Sequence, residues 1–300
     1  MSGSRRYKIL LTNRRLDHTG GTESFCRSLS KALSRGHDVY VYSPGHGAIS
    51  DQISKHAEIV REPAGDFDMI LYTHNTTVSP DFIAKCKIYT IHGIYSDLEK
   101  PPGSMDAYVA ISTEIAGRYE HLKPRLIRSG IDTDEFFPVD RRSLIRTLLY
   151  SSNYENDLSS SLKRAAWSLG MRYRRLGGME AKLDVVDDLQ AADVVVGVGR
   201  TALEAMSCGK KVVVADRRSY ADYGMDGFLN EANVEKVSAS NYSGRAFKKP
   251  MTFMSLRREI RRAATDSSDW ERNWILEHHD IERTAREYIA LAEEVIESKV

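Results

Sequence analysis

Cysteine is scarce in this sequence. The three that occur, Cys26, Cys86 and Cys208, are far apart and odd in number. They supply neither a closed disulfide set nor the spacing of a structural metal site, and they fit a reducing compartment. An excess of either charge is also missing. Lys and Arg total 43 against 42 Asp and Glu, so no global field recruits nucleic acid or an acidic surface, and any such attraction must come from a local patch. No apolar run approaches the about eighteen residues of a membrane span. The polar, basic start from Met1 to Lys8 leads only into an apolar run of strand length, so no signal peptide is read there. A cytoplasmic protein is expected, and no repeat or low-complexity tract interrupts it.

What is present suits two ordinary domains with separate cores: 300 residues, 41% hydrophobic and 28% charged. The most informative stretch runs from Ala192 to Asp216. Its β-branched run Val194-Val195-Val196, bounded by Gly197 and Gly199, reads as a buried parallel strand; the segment from Arg200 reads as a helix ended by Gly209, and Lys211 to Asp216 as a further strand. Glycines at 197 and 199 let backbone N–H groups approach a ligand closely. The helix start aims its unpaired N–H groups and the positive end of its dipole at the same place, which suits a phosphate. Glu204, about one turn into the helix, can hold paired hydroxyls such as those of a ribose. The same residues also make an ordinary strand-to-helix connection, with Glu204 a dipole partner.

The whole string from Gly197 to Val213, Gly-Val-Gly-Arg-Thr-Ala-Leu-Glu-Ala-Met-Ser-Cys-Gly-Lys-Lys-Val-Val, resembles the donor-site signature of retaining, family-4-like glycosyltransferases (glycosyl transferases group 1). The family pattern runs Glu-Gly-Phe-Gly, four residues, Glu-Ala-Met, a small residue, Cys-Gly, then a strand. One departure stands out: the first glutamate of the family's pair falls on position 196, which is Val196 here. The resemblance implies the GT-B fold, two Rossmann-like parallel-sheet domains facing each other across a cleft, with a C-terminal helix crossing back to the first. It also implies metal-independent transfer, with retention, of a sugar from a UDP- or GDP-sugar to an acceptor that the sequence does not name: a glycan, lipid, small molecule or macromolecule. No cofactor beyond the nucleotide sugar is expected. Backbone N–H groups around Gly199, Arg200, Thr201 and Ala202, with Gly197, would meet the diphosphate, and Glu204 would hold the ribose.

The first half opens as βαβ, the pattern of a nucleotide-binding α/β domain. Tyr7 to Thr12 is a strand, Thr22 caps a helix from Glu23 to Ser34, and His37 to Tyr42 is the next strand. Further strands are expected at Met69 to Thr73, Lys87 to Ile91 and Ala107 to Ile111. Gly20-Gly21-Thr22-Glu23 resembles the family's Gly-Gly-X-Glu turn, which assigns Gly21 to the donor's phosphates or the acceptor. Two strands finish in histidine. His74 reads as a hydrogen-bonded loop residue, whereas His92, in Thr90-Ile91-His92-Gly93, resembles the family's histidine that faces the donor sugar. Asp66-Phe67-Asp68 and Asp132-Thr133-Asp134 imitate an Asp-X-Asp metal motif. The first reads as a solvated turn; the second lies in Ser129 to Pro138, a string resembling the one by which the family leaves its first domain. No metal site is expected.

The expected domains are an acceptor domain at 1–138, a nucleotide-sugar domain at 139–266, and a C-terminal helix over 267–300 that packs back on the first. The second domain should carry strands at Arg146 to Ser151 and Met171 to Arg175 and helices at Leu158 to Leu169 and Asp184 to Ala191. The linker falls at Pro138 to Arg142, and base recognition at Gly177 to Leu183. Where the family has Gly-Arg and then a lysine against the diphosphate, this chain has Tyr150-Ser151-Ser152-Asn153, with Lys163 and Arg164 further on; Asn153, Lys163 and Arg200 are the candidates to replace them. From Trp270 onward the pattern is helical, with an apolar stripe through Ile281, Ala285, Tyr288, Ile289, Ala292, Val295 and Ile296. Trp270 and Trp274 would mark the crossing. The basic run Leu256 to Arg262 reads as a solvated helix face, with a weak peripheral contact to a lipid surface as the sharper alternative.

A glycosyltransferase is therefore the expected function, with His92 and Glu204 as its catalytic residues. The alternative is a non-catalytic nucleotide-sugar-binding protein of the same fold, on the ground that Val196 cannot hydrogen-bond a sugar hydroxyl. A hydrolysing epimerase would need carboxylates around the sugar, and the sequence displays no such set. Val196 itself either faces the donor's sugar ring or packs in the core with its β-branched neighbours.

Overall fold

The computed structural model describes residues 5–140, 146–153, 158–178, 182–218 and 224–299. They fall into two compact units, Met1–Gly130 with Ile281–Val300, and Ile131–Asp280. The linker expected over 138–142 and the base-recognition loop expected over 177–183 lie partly outside the described residues.

The first unit is built on β1 (Lys8–Thr12), α1 (Gly21–Leu33), β2 (Asp38–Tyr42), α2 (Ala48–Ile53), β3 (Glu58–Val60), β4 (Asp66–Tyr72), β5 (Ile83–Ile91), β6 (Ala107–Ala110), α3 (Thr113–Arg118) and β7 (Arg125–Leu126). The strands form one sheet in the order β3-β2-β1-β4-β5-β6-β7, every pair parallel. Both faces are covered, which is why the strands read as nearly continuous apolar runs. Ile9 and Leu11 join Phe25 and Leu29 of α1 in one core, while Leu10, Ile70 and Tyr72 join another on the opposite face. Thr22 does not cap α1. The cap is Gly20, which offers no side chain, and the Glu23 carboxylate occupies the space: a Cβ on Gly20 would stand 2.2 Å from Glu23 Oε2. Asp66 and Asp68 lie within β4 rather than in a turn, and Asp68 accepts from the Lys8 N–H (2.8 Å) and Lys85 Nζ (2.6 Å).

The second unit contains β8 (Thr147–Ser151), α4 (Leu158–Ser168), β9 (Arg172–Leu176), α5 (Val186–Ala191), β10 (Val194–Gly197), α6 (Arg200–Ser207), β11 (Lys211–Ala215), β12 (Met225–Phe228), α7 (Val234–Ser238), α8 (Phe253–Thr265) and α9 (Glu271–His278). Its sheet order is β12-β11-β10-β8-β9, parallel except for β12. Successive side chains of β10 divide between two cores: Val195 packs with Leu149 and Val214, whereas Val194 and Val196 pack with Leu148, Tyr150 and Val213. Val196 is fully buried and sits opposite Tyr150 and Val213 in the ladder. It therefore belongs to the core, and the reading that turned it toward a sugar ring fails because β10 continues past it to Gly197.

Two expectations for the tail change. The helical pattern from Trp270 breaks at His279 and Asp280 into α9 and α10 (Ile281–Glu297). The break is held from far away in sequence, by the Ile131 N–H donating to the His279 carbonyl at 2.7 Å. Trp270 and Trp274 anchor α9 inside the second unit rather than marking the crossing: Trp270 is buried in the Val195 core and Trp274 Nε1 donates to the Tyr242 hydroxyl at 2.8 Å. The last helix, α10, packs on the first unit, where Ile281, Ala285, Tyr288 and Leu291 share the core of α1 and Tyr288 bonds Thr90 at 2.7 Å.

The basic run lies on α8, where Arg258 and Arg262 pair with buried Glu259 at 3.2 and 2.9 Å, so part of its charge is neutralised internally. Asp132 is buried and accepts from the Asp134 and Glu135 N–H groups, each at 3.2 Å, which is a turn-forming role. Among the described residues no group of three His, Cys, Asp or Glu is placed to hold a metal ion, and no helix is long and apolar enough to cross a membrane.

Removing two buried methyl groups by Val196→Ala should lower the unfolding free energy by about 2 kcal/mol in urea titrations. Val196→Glu should fail to fold; a folded Val196→Glu protein with altered sugar preference would return this residue to the site.

Candidate functional site

In the second unit β8 leads through α4 to β9 on one flank, while β10 pairs on the other. Strand order thus reverses between β8 and β10, and ligands of open parallel sheets sit outside the carboxyl ends of strands at such a reversal. Ser152 and Asn153 follow β8; Val198 and Gly199 follow β10 and lead into α6.

This edge is shaped by glycines. Gly199, at φ +56°, caps α6 with no side chain, so no side-chain acceptor closes the helix start. At Gly197 a Cβ would stand 2.7 Å from Thr201 Cγ2, so the strand end must be bare for the first helical turn to close over it. Gly177, at φ +99°, has even less room: a Cβ there would lie 2.1 Å from the Ser152 carbonyl oxygen and 2.9 Å from Asn153 Oδ1. A Cβ on Gly178 would lie 3.6 Å from Arg175 Nη2, which puts that guanidinium beside the same turn. Within α6, Arg200 Nε donates to Glu204 Oε1 at 2.7 Å, and the two side chains are only 9% and 11% exposed.

Tyr242 fixes the loop from behind. Its carbonyl accepts from the Gly199 N–H at 2.9 Å, and its buried hydroxyl takes the Trp274 bond and meets His279 Nε2 at 3.1 Å. Asn241 and Tyr242 both hold the left-handed conformation, at φ +54° and +52°. Two successive non-glycine residues in that region store strain that the surrounding bonds must offset.

The first unit reverses strand order between β1 and β4. Buried His74 follows β4, and burial, with Arg14 nearby, pushes its pKa down to about 4, so it is neutral at ordinary pH. Gly20 and Gly21 precede α1. Of the two, Gly20 is the one with a close neighbour, the Glu23 carboxylate, whereas a Cβ on Gly21 would meet nothing within 4 Å. His92 follows β5 and meets the Phe25 ring edge-on at 5.0 Å. Beside it, a Cβ on Gly93 would stand 2.2 Å from Glu99 Oε2. Burial raises the pKa of Glu23, and burial followed by the charge of Glu23 raises Glu99 to about 7. Two acids that sense one another thus sit at the carboxyl edge with His92.

No family model and no curated protein matches this chain. Solved structures do. The Anabaena protein HepE, in complex with UDP and glucose, is 14% identical with a TM-score of 0.61, covering 96% of this chain and all of that one. A putative UDP-N-acetylglucosamine 2-epimerase from Listeria monocytogenes is 12% identical with a TM-score of 0.60 and 98% coverage of both. AviGT4, a glycosyltransferase involved in avilamycin A biosynthesis, is 16% identical with a TM-score of 0.57, covering 97% of this chain and 98% of that one.

The fold is GT-B.

In this GT-B chain, Asn153, Gly197, Gly199, Arg200, Thr201, Ala202 and Glu204 fall at or just beyond the β8 and β10 ends of the second unit, and Gly21 and His92 at the carboxyl edge of the first. Lys163 stands apart. It lies on the exposed face of α4 with its ammonium 4.8 Å from the Trp167 ring, directed toward the far end of the helix from β8. Sequence reasoning missed Arg175, Glu99 and Tyr242. Arg175 was findable as a cation near the end of a strand, just before Gly177-Gly178; Glu99 and Tyr242 sit in irregular segments that carry no periodic signal.

Folded Glu99 keeps its proton to about pH 7, whereas the unfolded chain loses it near 4.5. Ionisation therefore costs stability as pH rises through that window. Carbon-13 NMR of the carboxyl should give an apparent pKa near 7, and Glu23→Gln should lower it by removing the neighbouring charge. Glu99→Gln should flatten the pH dependence of stability between pH 5 and 7; an unchanged dependence would contradict the assignment.

Proposed function

We propose that this chain is a metal-independent, retaining glycosyltransferase whose donor is a UDP- or GDP-sugar. The observation that carries the reading is the glycine-capped start of α6 at the β8 and β10 reversal, with Glu204 one turn inside. HepE, of the same fold, is solved with UDP-glucose, which supports a uridine nucleotide here. The reaction needs stabilisation of a departing diphosphate and of an oxocarbenium-like sugar. Backbone N–H groups in the first turn of α6 serve the first need, the Gly199 and Ala202 N–H groups being engaged by the Tyr242 and Gly199 carbonyls; Arg175 supplies the cation that the sequence lacks after β8, and Asn153 a neutral donor. Glu204 takes the ribose hydroxyls. The acceptor belongs to the first unit, whose carboxyl edge carries His92. Lys163 has no part in it, and the acceptor proton passes to the leaving phosphate, as the resemblance to the retaining family implies.

One observation favours a second reading. The Glu23 and Glu99 acids supply the carboxylate set that a hydrolysing sugar-nucleotide epimerase needs, and a neighbour of the fold carries that activity in its name. The non-catalytic alternative keeps its ground, because Val196, packed in the core, supplies no hydrogen bond where the family has a carboxylate.

Incubation with a panel of UDP- and GDP-sugars, followed by proton NMR, separates the three. Slow hydrolysis of one donor, releasing sugar in the donor's own anomeric configuration, is the expected result, with Glu204→Ala reducing turnover by at least about tenfold through loss of a charged hydrogen bond. An epimerised sugar would establish the second reading. Binding without turnover of any donor would establish the third.

A further inference from the structure

Helices α4 and α8 pack side by side in the second unit, tied by the Arg257 Nε bond to Ser168 Oγ at 3.0 Å. The sequence of α4 holds no acid, and α8 holds only Glu259, which is buried. Arg258 and Arg262 share that carboxylate at 3.2 and 2.9 Å. Among the described residues Lys163, Arg164, Arg257 and Arg261 make no ion pair. At helical spacing Lys163, Arg164 and Trp167 share one face of α4, and Met254, Arg257, Arg258 and Arg261 one face of α8. The chain as a whole carries a net charge of only +1, so this concentration of cations makes a local field. Trp167 and Met254 stand within it, 63% and 66% exposed, more than any other large hydrophobic side chain among the described residues. A solvated helix face accounts for the cations but not for an indole and a thioether set out among them.

We propose that the outer face of α4 and α8 is a docking surface for an anionic lipid bilayer. The cations meet the charged headgroups, while Trp167 and Met254 enter the boundary between headgroups and acyl chains, where an indole keeps one end wet and the other apolar. Ring contacts favour a bilayer over nucleic acid. The Lys163 ammonium lies 4.8 Å from the Trp167 ring and the Arg164 guanidinium 5.0 Å from the Phe253 ring, so a base stacking on either ring competes with a cation. A bilayer makes no such demand, because the ring enters it by its edge and the cation beside it reaches a headgroup. The surface needs neither a nucleotide nor the start of α6, so it stands apart from the reading of the donor edge.

The test is co-sedimentation of the full chain with vesicles of phosphatidylcholine, alone or mixed with phosphatidylserine. Binding to the mixed vesicles only is expected, weakened by at least about tenfold as NaCl rises from about 0.1 M to about 0.5 M. Each cation near the surface contributes about fivefold, so Arg257→Gln with Arg261→Gln should weaken binding by about twentyfold. Lys55→Gln with Arg118→Gln, which removes two exposed cations of the first unit, should leave it unchanged. Tryptophan emission should move to shorter wavelength on binding, and Trp167→Phe should abolish that shift. Absence of wild-type binding to the mixed vesicles overturns the proposal without any variant, as does equal binding to phosphatidylcholine alone or an equal loss in the two double variants. Binding of polyuridylic acid more tightly than the mixed vesicles, lost with Arg257 and Arg261, would overturn it in favour of single-stranded nucleic acid.

Discussion

Parallel strand direction governs this protein. All strands of the first sheet and four of the second run the same way within their sheets, so helices must cover both faces and loops at one edge alone are free to carry chemistry. The proposed site residues then lie where strand order turns back on itself, after β8 and β10 in one unit and around β1, β4 and β5 in the other. Glycine is what lets those edges close. At positions 20, 93, 177 and 197 a single added carbon would meet a neighbouring carboxylate, carbonyl or methyl group.

The sheets were legible because a strand covered on both faces shows a run of Val, Ile and Leu bounded by glycine or polar residues, as at Val194 to Gly197 and Ile88 to Ile91. The alternation within the first run also shows why Val196 is core: it follows Val194 onto one face and leaves Val195 on the other. The break between α9 and α10 was not legible, since apolar residues recur at helical spacing on both sides of it and the bond that fixes it comes from Ile131. Trp274 was misread for the same reason, because its partner Tyr242 lies in a stretch with no regular pattern.

The glycine turn and the helix that carries Glu204 could be read after β10 because their geometry is local, set by residues a few positions apart. The acid pair was hidden because it is not. Glu23 lies in the first turn of α1 and Glu99 in the irregular stretch beyond β5, and only the sheet brings them within reach of one another. Arg175 occupies a middle position: its place at a strand end is visible in the sequence, but its approach to the turn that backs Asn153 is not.

The central claim is that the edge after β8 and β10 binds a nucleoside diphosphate. Amide hydrogen exchange, followed by mass spectrometry with and without UDP or GDP, tests it most directly, because a ligand seated there must slow exchange at the N–H groups it engages. The account predicts ligand-dependent protection concentrated in residues 197–204 and in the segment after β8, with a smaller effect around Tyr242. Protection confined to the first unit, or tight binding with no change at 197–204, would contradict it.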